Sequence, residues 1–81
     1  MIKVVRFTAS WCAPCKGLAM QLASVETDIP IEVVDIDEQM DRAAAAGVRS
    51  VPTMVMYDED TEIKRVSGVL SSDKIDEWLH G

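Results

Sequence analysis

Trp11-Cys12-Ala13-Pro14-Cys15-Lys16 (WCAPCK) contains both cysteines of the chain. Its reading turns on the residues that flank it. Ile2–Thr8 (IKVVRFT) is β-branched and aromatic, which predicts a strand. After the motif, Leu18, Leu22 and Val25 recur at helical spacing with Ala19 and Ala23 beside them, which predicts a helix from Ala13 to about Thr27. Asp28-Ile29-Pro30 stops it. The two cysteines therefore sit where a strand ends and a helix begins.

Further along, Ile31–Ile36 (IEVVDI) reads as a second strand. Glu38–Ala46 reads as a short alanine-rich helix closed by Gly47 at C′. Thr53–Tyr57 and Thr61–Ser67 read as a hairpin about the polar turn Asp58-Glu59-Asp60. Gly68 breaks the last strand. Ser71 or Ser72 caps a final helix through Leu79, with Asp73 in its first turn. The order βαβαββα predicts one α/β domain over residues 1–81. A parallel right-handed pair is extended by an antiparallel hairpin into a four-stranded mixed sheet with helices on both faces.

Composition narrows the function. The chain has 81 residues, a net charge of −6 and 14 acidic against 8 basic residues. No basic stripe exists to neutralise phosphates, so nucleic acid is not an expected partner. No apolar run is long enough to cross a bilayer, and no signal peptide is read at the N-terminus. The expected compartment is the cytoplasm, where thiols are kept mostly reduced.

At a strand-to-helix junction, free N–H groups and the helix dipole stabilise a thiolate on Cys12, and Lys16 adds a cation. Both lower its pKa from the free value of about 8.5. Pro14 falls in the first turn, where its missing N–H costs little. Cys12 and Cys15, at i and i+3, share one helix face. Cys12 at the open end is placed to attack a disulfide, and Cys15 to resolve the mixed disulfide, leaving a Cys12–Cys15 bridge. Two other readings remain. A bridge closing so short a loop stabilises little as a staple. Two thiolates are half of a zinc site, and the single histidine, His80, lies next to the C-terminal residue; a dimer sharing one metal would complete it.

Topology adds a second landmark. The third strand runs antiparallel to the first, so Val51-Pro52-Thr53 comes beside the motif, and the end of the fourth strand brings Gly68 and Val69 near. Taken alone, Pro52 reads as a strand-starting proline. Met54 and Met56 share one strand face, with Val55 and Tyr57 on the other, and core packing accounts for both. Trp78, at helical spacing from Ile75, reads as core or rim.

WCAPCK, Ser50-Val51-Pro52-Thr53 and Val66-Ser67-Gly68, in that order, resemble the thioredoxin family. Phe7, Ala9 and Asp37 fit the same pattern, and the resemblance spans nearly the whole chain. It implies a cis Val51–Pro52 bond, Cys12 as nucleophile and Cys15 as resolving thiol. It further implies an apolar substrate platform of Trp11, Val51, Pro52, Gly68 and Val69, with Ala13 and Pro14 between the thiols. No metal or cofactor is implied beyond the redox-active pair. Implied partners are a thioredoxin reductase and disulfide-bearing proteins such as ribonucleotide reductase, for a monomer. A glutathione-dependent glutaredoxin-like reductase is the alternative, and a zinc-bridged module without enzymatic activity is a third reading.

Three departures stand out. The N-terminal strand and helix of a full-size thioredoxin have no counterpart, which leaves the IEVVDI strand as an uncovered edge. Ala13 replaces the usual glycine. Arg6 occupies the position where the family places a buried carboxylate behind the resolving thiol. Arg6 is expected to reach Asp35 or Asp37 or to escape to solvent; a guanidinium near the thiols would lower their pKa.

Overall fold

A computed structural model describes residues 1–81. The elements run β1 (Ile2–Thr8), α1 (Ala13–Leu22), β2 (Ile31–Asp35), α2 (Met40–Ala45), β3 (Thr53–Asp58), β4 (Thr61–Ser67) and α3 (Ser72–His80). The sheet order is β2-β1-β3-β4. β1 pairs in parallel with β2, with Thr8 opposite Asp35, and antiparallel with β3, with Phe7 opposite Thr53. The expected four-stranded mixed sheet is thus formed, and β2 is one of its two edges.

Alternation along β1 divides the core into two layers. Val4 packs with Leu18 of α1, Met54 and Met56 of β3, and Ile75 and Leu79 of α3. Val5 and Phe7 turn the other way, onto Val34, Ala43 of α2 and Val55. The methionines and Val55 therefore divide between the faces as their spacing predicts, with Tyr57 beside Val55 and Trp78 at the rim of the first layer. Burying each fully buried Val, Leu, Ile, Met or Phe of these layers contributes roughly 1.5–3 kcal/mol. Position 6 shares the Val4 face, so Arg6 is directed toward the α1 layer.

Helix ends depart from the periodicity for local reasons. α1 ends at Leu22 rather than near Thr27. Ser24 and Val25 bond back three residues to Gln21 and Leu22, tightening the chain into a turn. The Thr27 hydroxyl accepts the Ile29 N–H at 3.1 Å, a local bond that competes with helix. Val25 still reaches the core from that turn, so its apolar spacing was a packing signal rather than a helical one. α2 begins at Met40, not Glu38, because the Asp35 carboxylate accepts the N–H groups of Asp37 (2.8 Å) and Glu38 (3.3 Å). That turn also ends β2 one residue before Ile36. At the other end of α2, Gly47 has φ +68° as the expected C′ residue. Its N–H bonds Ala44 O and that of Val48 bonds Ala43 O, a Schellman closure. Ser71 is the cap of α3, its hydroxyl accepting the Lys74 N–H.

Candidate active site at the carboxyl edge of the sheet

β1 ends at Thr8 and the chain crosses Ala9–Trp11 to enter α1 at Ala13. Cys12 is the N-cap, with extended backbone (φ −94°, ψ 104°), and Pro14 lies in the first turn. The Cys12 sulfur accepts the Cys15 N–H at 3.1 Å, taking the part that a serine or aspartate oxygen takes at other helix starts. Donation from a helix N-terminal amide favours negative charge on that sulfur. Cys12 and Cys15 are joined in a disulfide with Cα atoms 5.3 Å apart, and both are buried, at 4% and 2% exposure. Cys15 packs with Ala9 against Ile36 and Val51.

Two loops close over the pair. The Val51 carbonyl oxygen stands 3.8 Å from Cys12 Sγ, within reach of a thiol proton at that sulfur. Val51–Pro52 is cis. The Gly68 N–H donates to Pro52 O at 2.9 Å, and Thr53 Oγ1 contacts Ser50 O and Ser67 Oγ, so the two loops are tied together. Val69, about half exposed, lies beside α1, 3.8 Å from where a Cβ at Gly17 would stand. Trp11 is 66% exposed, and its indole N–H donates to Asp37 Oδ2 at 2.8 Å. Trp11, Cys12, Val51, Pro52, Gly68 and Val69 are thus brought to one edge.

Asp37 is the residue whose contact was not foreseen. The Thr8–Asp35 register sets the residues just after β2 level with those just after β1. That parallel register is the signal that places Asp37 within reach of Trp11.

Of the two expectations for Arg6, the ion pair with Asp35 or Asp37 does not form, and the side chain remains partly exposed to solvent. Asp35 is engaged with its own turn and Asp37 with Trp11. The half-buried guanidinium has burial as its one perturbation, which lowers its pKa from the ordinary arginine value. It still remains charged.

Glycine substitutions separate backbone strain from space. Gly68 has φ +90° with nothing within 4 Å of an added Cβ, whereas Gly17 is helical and open to a Cβ at ordinary contact with Val69. Gly68→Ala is expected to destabilise by about 1–2 kcal/mol. Gly17→Ala is expected to stabilise by up to about 1 kcal/mol. Urea midpoints at unchanged slope read both; a Gly68→Ala midpoint equal to wild type would count against the left-handed turn.

A cysteine pair that closes a disulfide at a strand-helix junction, beside a proline loop, is an arrangement suited to thiol–disulfide exchange. Residues 1–81 match the family model for thioredoxin. The chain is 38% identical over 74 residues to thioredoxin C-3 of Corynebacterium nephridii, covering 88% of this chain and 51% of that one. It is 35% identical over 75 residues to the thioredoxin of Chlamydia caviae, covering 89% and 74%. The X-ray structure of Fasciola hepatica thioredoxin superposes with a TM-score of 0.85 at 30% identity, covering 96% of this chain and 77% of that one. The chain belongs to the thioredoxin family. It spans about half the length of the Corynebacterium relative and about three quarters of the Chlamydia one. No three His, Cys, Asp or Glu side chains are grouped to hold a metal ion, and no helix is long and apolar enough to cross a membrane.

Proposed function

We propose that this chain reduces disulfides in protein substrates, cycling the Cys12–Cys15 pair between dithiol and disulfide. The observation that carries the reading is Cys12 Sγ at the N-cap, accepting an amide N–H below the Val51 carbonyl. The Cys12 thiolate attacks a substrate disulfide and forms a mixed disulfide, releasing one substrate thiolate. Cys15 then attacks Cys12, the second substrate thiolate leaves, and the intramolecular bridge remains. A Cα separation of 5.3 Å lets that bridge close without backbone movement.

Trp11, Val51, Pro52, Gly68 and Val69, with Ala13 and Pro14, form the surface that receives the substrate backbone in this reading. Lys16 and Arg6 favour the thiolates. Electrons come from a thioredoxin reductase, and reductive enzymes such as ribonucleotide reductase are the substrate class. The protein acts as a monomer in the cytoplasm without a metal, membrane or nucleic-acid partner.

Equilibration against glutathione of known poise tests the reading. A reversible two-electron couple near about −270 mV is expected for a thioredoxin-type reductant. A couple at about −200 mV or above would favour glutathione-dependent exchange, and no reversible couple would reject redox function.

A further inference from the structure

Behind the thiols, β1, α1 and the end of β2 enclose a groove of about 240 Å³ lined by Arg6, Thr8, Ser10, Cys15, Lys16 and Asp35 among others. None of the platform residues lines it. Its charges are Arg6 from β1, Lys16 from α1 and Asp35 from β2. The Asp35 carboxylate already accepts two backbone N–H groups. Lys16 is exposed and Arg6 is half-buried, with burial alone acting on its guanidinium. A guanidinium carries five N–H donors, and no buried nitrogen of Arg6 is without a partner, so the half-exposed head is hydrated and held by no carboxylate in the groove.

The oxidised pair gives this cation nothing to pair with, because a disulfide is neutral. Reduction changes that. Two electrons and two protons convert the bridge to two thiols, and loss of a proton from either thiol creates an anion beside the groove. Cys15 is the cysteine that lines it.

Resting on the exchange chemistry above, we propose that Arg6 is the electrostatic partner of the reduced pair and sets its redox poise. It favours the thiolate, hence the reduced state, and so raises the reduction potential. The chain is then a weaker reductant than the same fold without this cation. Stabilising a reduced form by this means is what makes a dithiol protein oxidising. The effect depends on ionisation. Where both thiols are protonated, Arg6 faces neutral groups in both redox states and the potential is indifferent to it. Above the thiol pKa the difference opens. Lys16 acts in the same sense from the outer wall, while the Asp35 carboxylate repels the thiolate of the reduced state and so works against both cations.

The test measures the equilibrium constant with glutathione for wild type, Arg6→Met and Arg6→Lys from about pH 5 to about pH 9, spanning ordinary thiol ionisation. Methionine matches the apolar stem without the charge. At the alkaline end Arg6→Met is expected to be roughly tenfold less reduced than wild type, a shift of about 30 mV to more negative potential. At the acid end the two should coincide, and Arg6→Lys should follow wild type more closely than Arg6→Met does. Equal potentials at every pH would overturn the proposal, as would a shift of the same size at both ends or an Arg6→Lys variant as displaced as Arg6→Met. A wild-type protein with no reversible couple would instead reject the oxidoreductase reading, and this inference with it.

Discussion

Replacing Cys12 with serine is expected to abolish disulfide reduction, while replacing Cys15 with serine is expected to leave a protein that captures substrate once and does not turn over. The two cysteines are alike in burial but not in position. Cys12 Sγ is the atom that receives the Cys15 amide, which stabilises charge there, while the Val51 carbonyl can only accept a proton from it, so the amide is what favours Cys12 as the attacking sulfur. A serine hydroxyl at that place can still cap the helix but is not a nucleophile at neutral pH, so exchange falls to the uncatalysed rate. In Cys15→Ser the first attack proceeds and the second cannot, so a mixed disulfide on Cys12 accumulates. Mass spectrometry after incubation with a disulfide-bonded protein reads this directly. An adduct on Cys15 in the Cys12→Ser protein at the rate seen for Cys12 in Cys15→Ser would reverse the assignment.

The largest effect on stability is expected from Leu18→Ala. Leu18 is fully buried one helical turn after Cys15, against Val4, Met54 and Ile75. It is the largest fully buried side chain of the motif helix, so it helps seat the thiols on the sheet as well as filling core volume. Truncation loses transfer energy and leaves a cavity, costing about 2–5 kcal/mol. A chain of 81 residues has a total stability of about 4–12 kcal/mol, so that loss removes a large part of it. Thermal melting should fall by at least about 8 °C, given about 4–8 °C per kcal/mol for a domain of this size. Ile63→Ala on the outer strand β4, at 50% exposure, is the contrast and should change stability by no more than about 0.5–1 kcal/mol. Equal melting of the two variants would mean that α1 is not seated on the sheet as described.

Legibility in the sequence followed the range of the interaction involved. β1, the hairpin and α3 could be read because alternation, turn residues and a serine cap are local signals. The helix at Ala13 was read to Thr27 because Val25 keeps helical spacing, yet Val25 packs from a turn and the Thr27 hydroxyl bonds the chain beyond it. Spacing reports which residues are buried and not which backbone bonds hold them. The thiols were legible because their chemistry is written in adjacent residues. The cis Val51–Pro52 bond was not legible from its residues, which suit an ordinary strand-starting proline equally, and entered only through family resemblance. Arg6 was placed on its strand, and behind the resolving thiol only by resemblance; that it reaches neither Asp35 nor Asp37 depends on how the turn after β2 directs those carboxylates, which is settled in three dimensions.

The thiols and the Val51, Pro52, Gly68 and Val69 part of the platform come from opposite halves of the chain, with Val51 lying 39 residues beyond Cys12. The motif helix and its cysteines depend largely on neighbours in sequence, whereas the proline loop is held beside them through the pairing of β3 with β1, a contact that costs loop-closure entropy. Reactivity is thus written locally and discrimination globally: a change that loosens β3 from β1 would leave the sulfurs in place and remove the surface that selects what they meet.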